Sequence, residues 1–298
     1  MTAGFPPTPG LFDEHGVIAV DHECKRCSYN LRGLREDGRC PECGTPIGLS
    51  TTGDLLRFAD PEWVSTVARG LTIILWMILV GIIVGAFAAA LEAMETPEVV
   101  GTALGFLAQL VGYYGVWLMT KPDPSGIGED PYITARKVIR ITLVVELVSS
   151  ALETLVVGLP FPPTALIIIG VIMVITAIIG LIGEFAKFVY YEKLAARIPD
   201  DALARRARFL KWAFTVTFGV MAVGSGLAAL AMALAPGAGP PAGIGVLGCL
   251  MAPVGIAFIV FAVMTLFLLL RLRRAISEQA RIAQATWAAA LRDVESER

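Results

Sequence analysis

The sequence predicts an all-α integral membrane protein, with six transmembrane helices in three hairpins and a small N-terminal β-hairpin ribbon. Three observations carry that prediction. Of the 298 residues, 56% are hydrophobic and only 17% charged, whereas soluble globular domains approach one quarter charged. Six apolar runs each reach about 20 residues or more, enough to cross a hydrocarbon core at 1.5 Å per residue. All 24 Lys and Arg residues fall in the N-terminal segment, in the C-terminal tail or around the connections after the second and fourth runs.

Residues 1–20 contain several prolines and glycines and no basic, apolar leader, so they read as a flexible tail rather than a signal peptide. Residues 21–50 hold the pattern Cys24-x₂-Cys27 and Cys40-x₂-Cys43, two pairs separated by twelve residues. Four thiolates so spaced close a tetrahedral shell around one Zn²⁺, and so small a unit has little else to hold it together. The fifth cysteine, Cys249, lies in an apolar run and reads as a packing residue. This distribution argues against a disulfide framework and for a reducing compartment. Asp37-Gly38 supplies a hairpin turn. Tyr29, Leu31 and Leu34 are the candidate core of the ribbon. Gly44 and Ser28 occupy equivalent places after the second cysteine of each pair. His15 and His22 precede a ligand set that is complete without them.

Asp60-Pro61-Glu62-Trp63 has the form of a helix start, with an N-capping Asp and Pro at the first helical position. It opens a six-helix transmembrane domain over residues 60–270, with spans at 71–91, 99–119, 138–159, 164–183, 212–234 and 244–270, the last expected to kink at Pro253. The N-terminal segment, the connections after the second and fourth spans and the C-terminal tail hold seven, four, seven and six basic residues. The other three connections hold none. By the positive-inside rule, both termini are cytosolic and the protein sits in the cytoplasmic (inner) membrane. Residues 271–298 continue the last span as a cytosolic C-terminal helix, solvated by default, or else lying along the membrane surface or against the ribbon.

Asp60-Pro61, Asp130-Pro131 and Pro199-Asp200-Asp201 recur every seventy residues, each opening a basic stretch that feeds an odd-numbered span. Either a threefold repeat of helix plus hairpin produced this, or the common needs of inside-facing loops did. Gly81/Gly85 and Gly101/Gly105 form small-xxx-small patterns suited to close packing of the first two spans.

Two acids lie in mid-span, Glu146 and Glu153, seven residues apart and so on one face with Ser149 and Ser150 between them. A charge at such depth costs on the order of 2.5–3.5 kcal/mol on insertion scales, which suggests an ion or proton path. Burial also raises a carboxyl pKa, so two neutral acids bonded to serine or backbone satisfy the pattern equally. Walker, nucleophile-elbow, zincin and dinucleotide motifs are all missing, so no residue is nominated as catalytic.

Lys25, Arg26, Arg32, Arg35 and Arg39 surround the cysteines, but Glu36, Asp37 and Glu42 offset them and only Tyr29 is available for base stacking. Protein binding or scaffolding through the ribbon is therefore preferred to nucleic acid. A transporter or channel using Glu146 and Glu153 is the alternative, and a membrane enzyme or accessory subunit the third option.

The stretch Cys24 to Leu34, closing with Cys40-Pro41-Glu42-Cys43-Gly44, resembles the short N-terminal ribbon of an uncharacterised group of bacterial multi-pass membrane proteins. The run Phe58-Ala59-Asp60-Pro61-Glu62-Trp63 resembles the segment leading into their first span. The likeness covers about residues 24–65 and implies a cytosolic metal-binding module on a membrane anchor, with no activity attached.

Overall fold

A computed structural model describes residues 10–53, 55–94, 98–124, 135–156, 163–234 and 242–296. The described chain is helical: a short α1 (Gly48–Thr51), a 3₁₀ turn (Leu56–Phe58), then α2 (Pro61–Ala93), α3 (Glu98–Met119), α4 (Ala135–Val156), α5 (Pro163–Ala196), α6 (Asp201–Leu234) and α7 (Ala242–Ser296). The connections around 95–97, 157–162 and 235–241 lie outside the described residues, as do Asp130-Pro131 and residues 1–9.

The predicted helix starts are local and hold. The Asp60 carboxylate accepts the Trp63 N–H at 2.9 Å, satisfying one of the donors that a helix N-terminus leaves free, and Pro61 opens α2. Asp200 repeats the device, accepting the N–H groups of Ala202 and Leu203 at 3.0 and 3.3 Å.

Among the described residues, four helices are long and apolar enough to cross a membrane: Pro61–Leu91, Val100–Met119, Val174–Ala196 and Ala252–Ala285. This is fewer than the six spans expected. In α4 the reason is plain, since Arg136, Lys137, Arg140, Glu146 and Glu153 all lie within its 22 residues. Apolar side chains on the helix middles are exposed, including Ile82, Val148, Ile178 and Ile259. Exposed apolar surface on this scale calls for a lipid environment.

The packed core lies at the end of the bundle nearer the cysteines. Leu71 of α2, Met119 of α3, Ile139 of α4, Phe188 of α5, Leu210 of α6 and Leu272 and Ile276 of α7 are all buried there in one cluster. Each such side chain contributes about 1.5–3 kcal/mol through burial. The C-terminal extension of α7 thus packs into the bundle through Leu272, Ile276, Ala280 and Ala283. Pro253 lies inside this 55-residue helix, which continues on both sides of it.

Helices α2 and α3 approach most closely at glycines other than those expected. A Cβ on Gly70 would lie 2.6 Å from the Met119 nitrogen and 2.7 Å from the Gly115 oxygen. Gly81, Gly85 and Gly105 meet nothing within 4 Å, and Gly101 touches Ala88. The small-xxx-small patterns located the right helix pair, and Gly101 does pack tightly on Ala88, but the closest approach lies at Gly70 and Gly115, because sequence spacing fixes a face and not the depth of the crossing.

The N-terminal module also departs from expectation. Among the described residues it has no strands, only isolated bridges such as Glu23↔Asn30 and Arg39↔Pro46. Each cysteine pair closes its own tight turn, leaving too little chain for a ladder. At Asp37-Gly38 the Gly38 N–H donates to the Arg35 carbonyl at 3.1 Å, so Gly38 ends this turn, and the positive φ of 83° falls at Gly33 instead. Residues 10–20, expected as part of a flexible tail, supply Leu11 and Ile18 to the module's core beside Leu31, Ile47, Cys24 and Cys40. Leu34 packs against that core, whereas Tyr29 lies on the surface.

Candidate metal centre and mid-helix acids

The two cysteine knuckles are built alike. Ser28 N–H donates to the Cys24 carbonyl at 2.8 Å, and Gly44 N–H to the Cys40 carbonyl at 2.9 Å. Cys24 N–H then reaches the Tyr29 carbonyl and Cys40 N–H the Thr45 carbonyl, at 2.8 and 2.9 Å. Both turns need a left-handed residue after the second cysteine, and Ser28 and Gly44 provide it with φ of 59° and 68°. Glycine adopts that conformation freely, while Ser28 does so against its own Cβ.

This pseudo-symmetry brings the four sulfurs of Cys24, Cys27, Cys40 and Cys43 within 4.8 Å of one another. Cys24 and Cys43 Sγ are 3.7 Å apart, and Cys27 and Cys40 Sγ 3.5 Å. Tetrahedral Zn–S bonds of about 2.3 Å require sulfurs about 3.8 Å apart, whereas a disulfide requires about 2.05 Å. The donor set and its spacing fit a thiophilic divalent cation. Tyr29's N–H bond lowers the Cys27 thiol, but burial and the other three sulfurs outweigh it and push it to about 12. Burial pushes Cys43 up, yet the Thr45 hydroxyl and N–H, with the sulfurs of Cys27 and Cys24, bring it down to about 6. One thiol thus ionises early and another late, as coupled groups sharing a site must. A metal ion held by the four sulfurs would replace those protons and supply the missing positive charge.

Surrounding contacts hold the module in place. The His22 ring bonds the Ser50 carbonyl at 3.0 Å, and the Lys25 N–H donates to Ser50 Oγ at 3.1 Å, tying α1 to the first knuckle. The Phe58 ring lies so close to Gly48 that a Cβ there would meet it at 2.3 Å. Beyond it, the Leu56 N–H donates to the Arg197 carbonyl at 3.0 Å, so the module is anchored to the end of α5. Arg32 pairs with Asp21 and Arg35 with Asp37, at 3.5 and 3.1 Å. Two of the five basic residues noted around the cysteines are therefore matched locally.

The two mid-helix acids have different surroundings. Glu146 is half-buried and accepts a hydrogen bond from Tyr113 at 3.2 Å. Tyr113 in turn accepts one from the Gln109 amide, and Ser150 donates to Gln109 Oε1 at 2.6 Å. Gly180 and Gly183 of α5 leave room for this acid. A Cβ on Gly183 would meet Thr142 Oγ1 at 2.6 Å and Glu146 Oε1 at 3.4 Å. Lys187, paired with Glu184 at 2.6 Å, interacts electrostatically with Glu146. Glu153 is exposed on the outer surface of α4, so the structure does not gather both acids into one cluster.

Sequence reasoning missed Gln109 and Tyr113. Both are polar residues at i, i+4 spacing inside an apolar helix, and that spacing was the available signal. It also missed Asp123 and Arg197, which form a buried ion pair at 2.7 Å.

We find no match to this chain among protein-family models, curated proteins or solved structures.

Proposed function

We propose that the chain is a six-span protein of the cytoplasmic membrane whose cytosolic N-terminal module binds one Zn²⁺ at Cys24, Cys27, Cys40 and Cys43 and docks a protein partner. The observation that carries this is the convergence of four sulfurs from two knuckles of matching backbone geometry. Placing the loops rich in Lys and Arg on the cytosolic side puts both termini there. The core at the cysteine end would then lie just beneath the bilayer. Local pairing of Arg32 and Arg35 with acids favours a protein surface over a nucleic-acid one, which needs uncompensated cations and stacking groups. As an uncharacterised class, the bacterial multi-pass proteins whose ribbon this segment resembles share that layout. The test is affinity capture with the full-length chain from its native membrane. A partner recovered by the wild type and lost from a Cys24→Ser/Cys43→Ser chain that stays membrane-inserted supports the reading; identical partners on both refute it.

A second reading has its own support. Ser150, Gln109, Tyr113 and Glu146 form a directional hydrogen-bond chain between α3 and α4, and Lys187 and Glu184 stand beside it. Such a chain suits proton or cation movement. Flux in proteoliposomes that falls with Glu146→Gln but not with Glu153→Gln favours it. Equal flux in all three leaves these groups as helix-packing contacts.

A further inference from the structure

Away from the cysteines and the acid network, an open groove of about 610 Å³ runs between α6 and α7. Arg205 and Arg208 stand at one end of it. Phe209, Trp212 and Val216 continue along α6, and Phe261 closes it from α7. These α6 positions share one face, while Leu203, Ala207 and Leu210 on the opposite face are buried in the bundle. The Phe209 and Phe261 rings meet edge to face with centroids 6.1 Å apart. Trp212 is 58% exposed, although it is the largest side chain of the groove.

The charge at the arginine end is one-sided. Arg205, Arg206, Arg208 and Lys211 outnumber the acids around them: Glu192, which Arg208 and Lys211 bond at 2.6 and 2.8 Å, and Asp200 and Asp201 at the start of α6, where the Asp200 carboxylate caps the helix. Arg205 is exposed and has no ion-pair partner among the described residues. From Arg205 to Val216 the helix rises about 16 Å, close to half of the roughly 30 Å hydrocarbon thickness. Along that distance the lining passes from guanidinium to indole to aliphatic, the order met on going from phosphate to carbonyl to acyl chain.

We propose that this groove binds one anionic phospholipid, its phosphate held by Arg205 and Arg208 and one acyl chain lying along Phe209, Val216 and Phe261. The proposal rests on the six-span reading, which puts residues 212–234 in the bilayer. A soluble phosphate compound has no use for the apolar length of the groove.

Native mass spectrometry of the full-length chain, released from detergent with added dioleoyl phosphatidylglycerol or dioleoyl phosphatidylcholine, tests it. We expect one phosphatidylglycerol retained in preference to phosphatidylcholine. Arg205→Ala/Arg208→Ala should weaken that retention roughly tenfold or more and leave phosphatidylcholine unchanged. Val216→Trp should displace the lipid by filling the groove with both arginines in place. Equal retention of the two lipids, phosphatidylglycerol unaffected by either variant, or a second copy of the chain covering the groove overturns the proposal. External thiol labelling of Gly239→Cys separates the two claims. If that site is labelled and phosphatidylglycerol is not retained, only the lipid site fails; if it is not labelled from outside, the six-span reading fails.

Discussion

Arg197 Nη2 lies 2.7 Å from Asp123 Oδ2, and the same guanidinium sits 5.1 Å from the centre of the Trp63 ring. The Trp63 indole N–H donates to the Lys121 carbonyl at 3.0 Å. One small cluster therefore locks the start of α2, the end of α3 and the end of α5 together beneath the apolar spans. Arg140 reinforces it by donating to the Thr120 carbonyl at 2.8 Å, and Tyr190 donates to the Met119 carbonyl at 2.8 Å.

Breaking that pair should be costly, because Asp123 is 3% exposed and Arg197 16%. Removing one partner strands the other charge, a loss of about 3 kcal/mol or more. Asp123→Ala and Arg197→Ala should each lower Tm in detergent markedly. The double variant should lose less than the two single losses added together. Additive losses would show that the two side chains do not act as a pair.

The glycine contact between α2 and α3 makes a sharper steric prediction. Gly70→Ala inserts a methyl where backbone atoms stand 2.6 and 2.7 Å away, and overpacking of this kind costs about 1–3 kcal/mol. Gly85→Ala meets nothing within 4 Å and should be neutral or slightly stabilising, since alanine is the better helix former. Thermal unfolding of the two variants side by side checks the order.

At the knuckles, Ser28 and Gly44 share one backbone role but not one cost. Ser28→Gly should stabilise the folded, metal-loaded module by about 0.5–1 kcal/mol, because glycine enters the left-handed region without penalty. Gly44→Val should weaken it by more than that. Competition with a chelator, read as the midpoint of zinc transfer, ranks the three proteins.

Acid should release the metal. The Thr45 hydroxyl lies 3.2 Å from Cys43 Sγ, and with its N–H and the neighbouring sulfurs it offsets burial to bring that thiol to about 6. A group whose folded pKa is depressed contributes above its ordinary value and loses that contribution as pH falls through the lowered one. Each ligand must be deprotonated to hold zinc, so the metal should be lost on acidification. Thr45→Val should move the release midpoint to higher pH. An unchanged midpoint would mean that Thr45 does not stabilise the thiolate.

Features encoded within a few residues were legible in the sequence. The Asp60-Pro61 and Asp200 helix starts depend on one turn of chain, and the cysteine group depends on two short knuckles. Contacts that depend on helix rotation and depth were not. Gly70 against Gly115, Asp123 against Arg197 and Tyr113 against Glu146 each join residues far apart in the chain, and no single helix's pattern specifies them. Leu11 and Ile18 were hidden for another reason: the Pro- and Gly-rich composition around them resembles a tail, and only closure of the cysteine turns creates the surface they cover. Glu146 and Glu153 share a face by spacing, yet among the described residues Glu146 meets Tyr113 and the α5 glycines while Glu153 is exposed, because α3 and α5 cross α4 near the level of Glu146.

The central claim is that Cys24, Cys27, Cys40 and Cys43 form one metal centre on a membrane-embedded chain. Metal analysis of the full-length protein purified from membranes without added zinc tests it most directly. About one zinc per chain in the wild type, and none in Cys24→Ser/Cys43→Ser, is the predicted result. Wild-type protein that carries no zinc and takes none up, or a variant that keeps its full content, would contradict it.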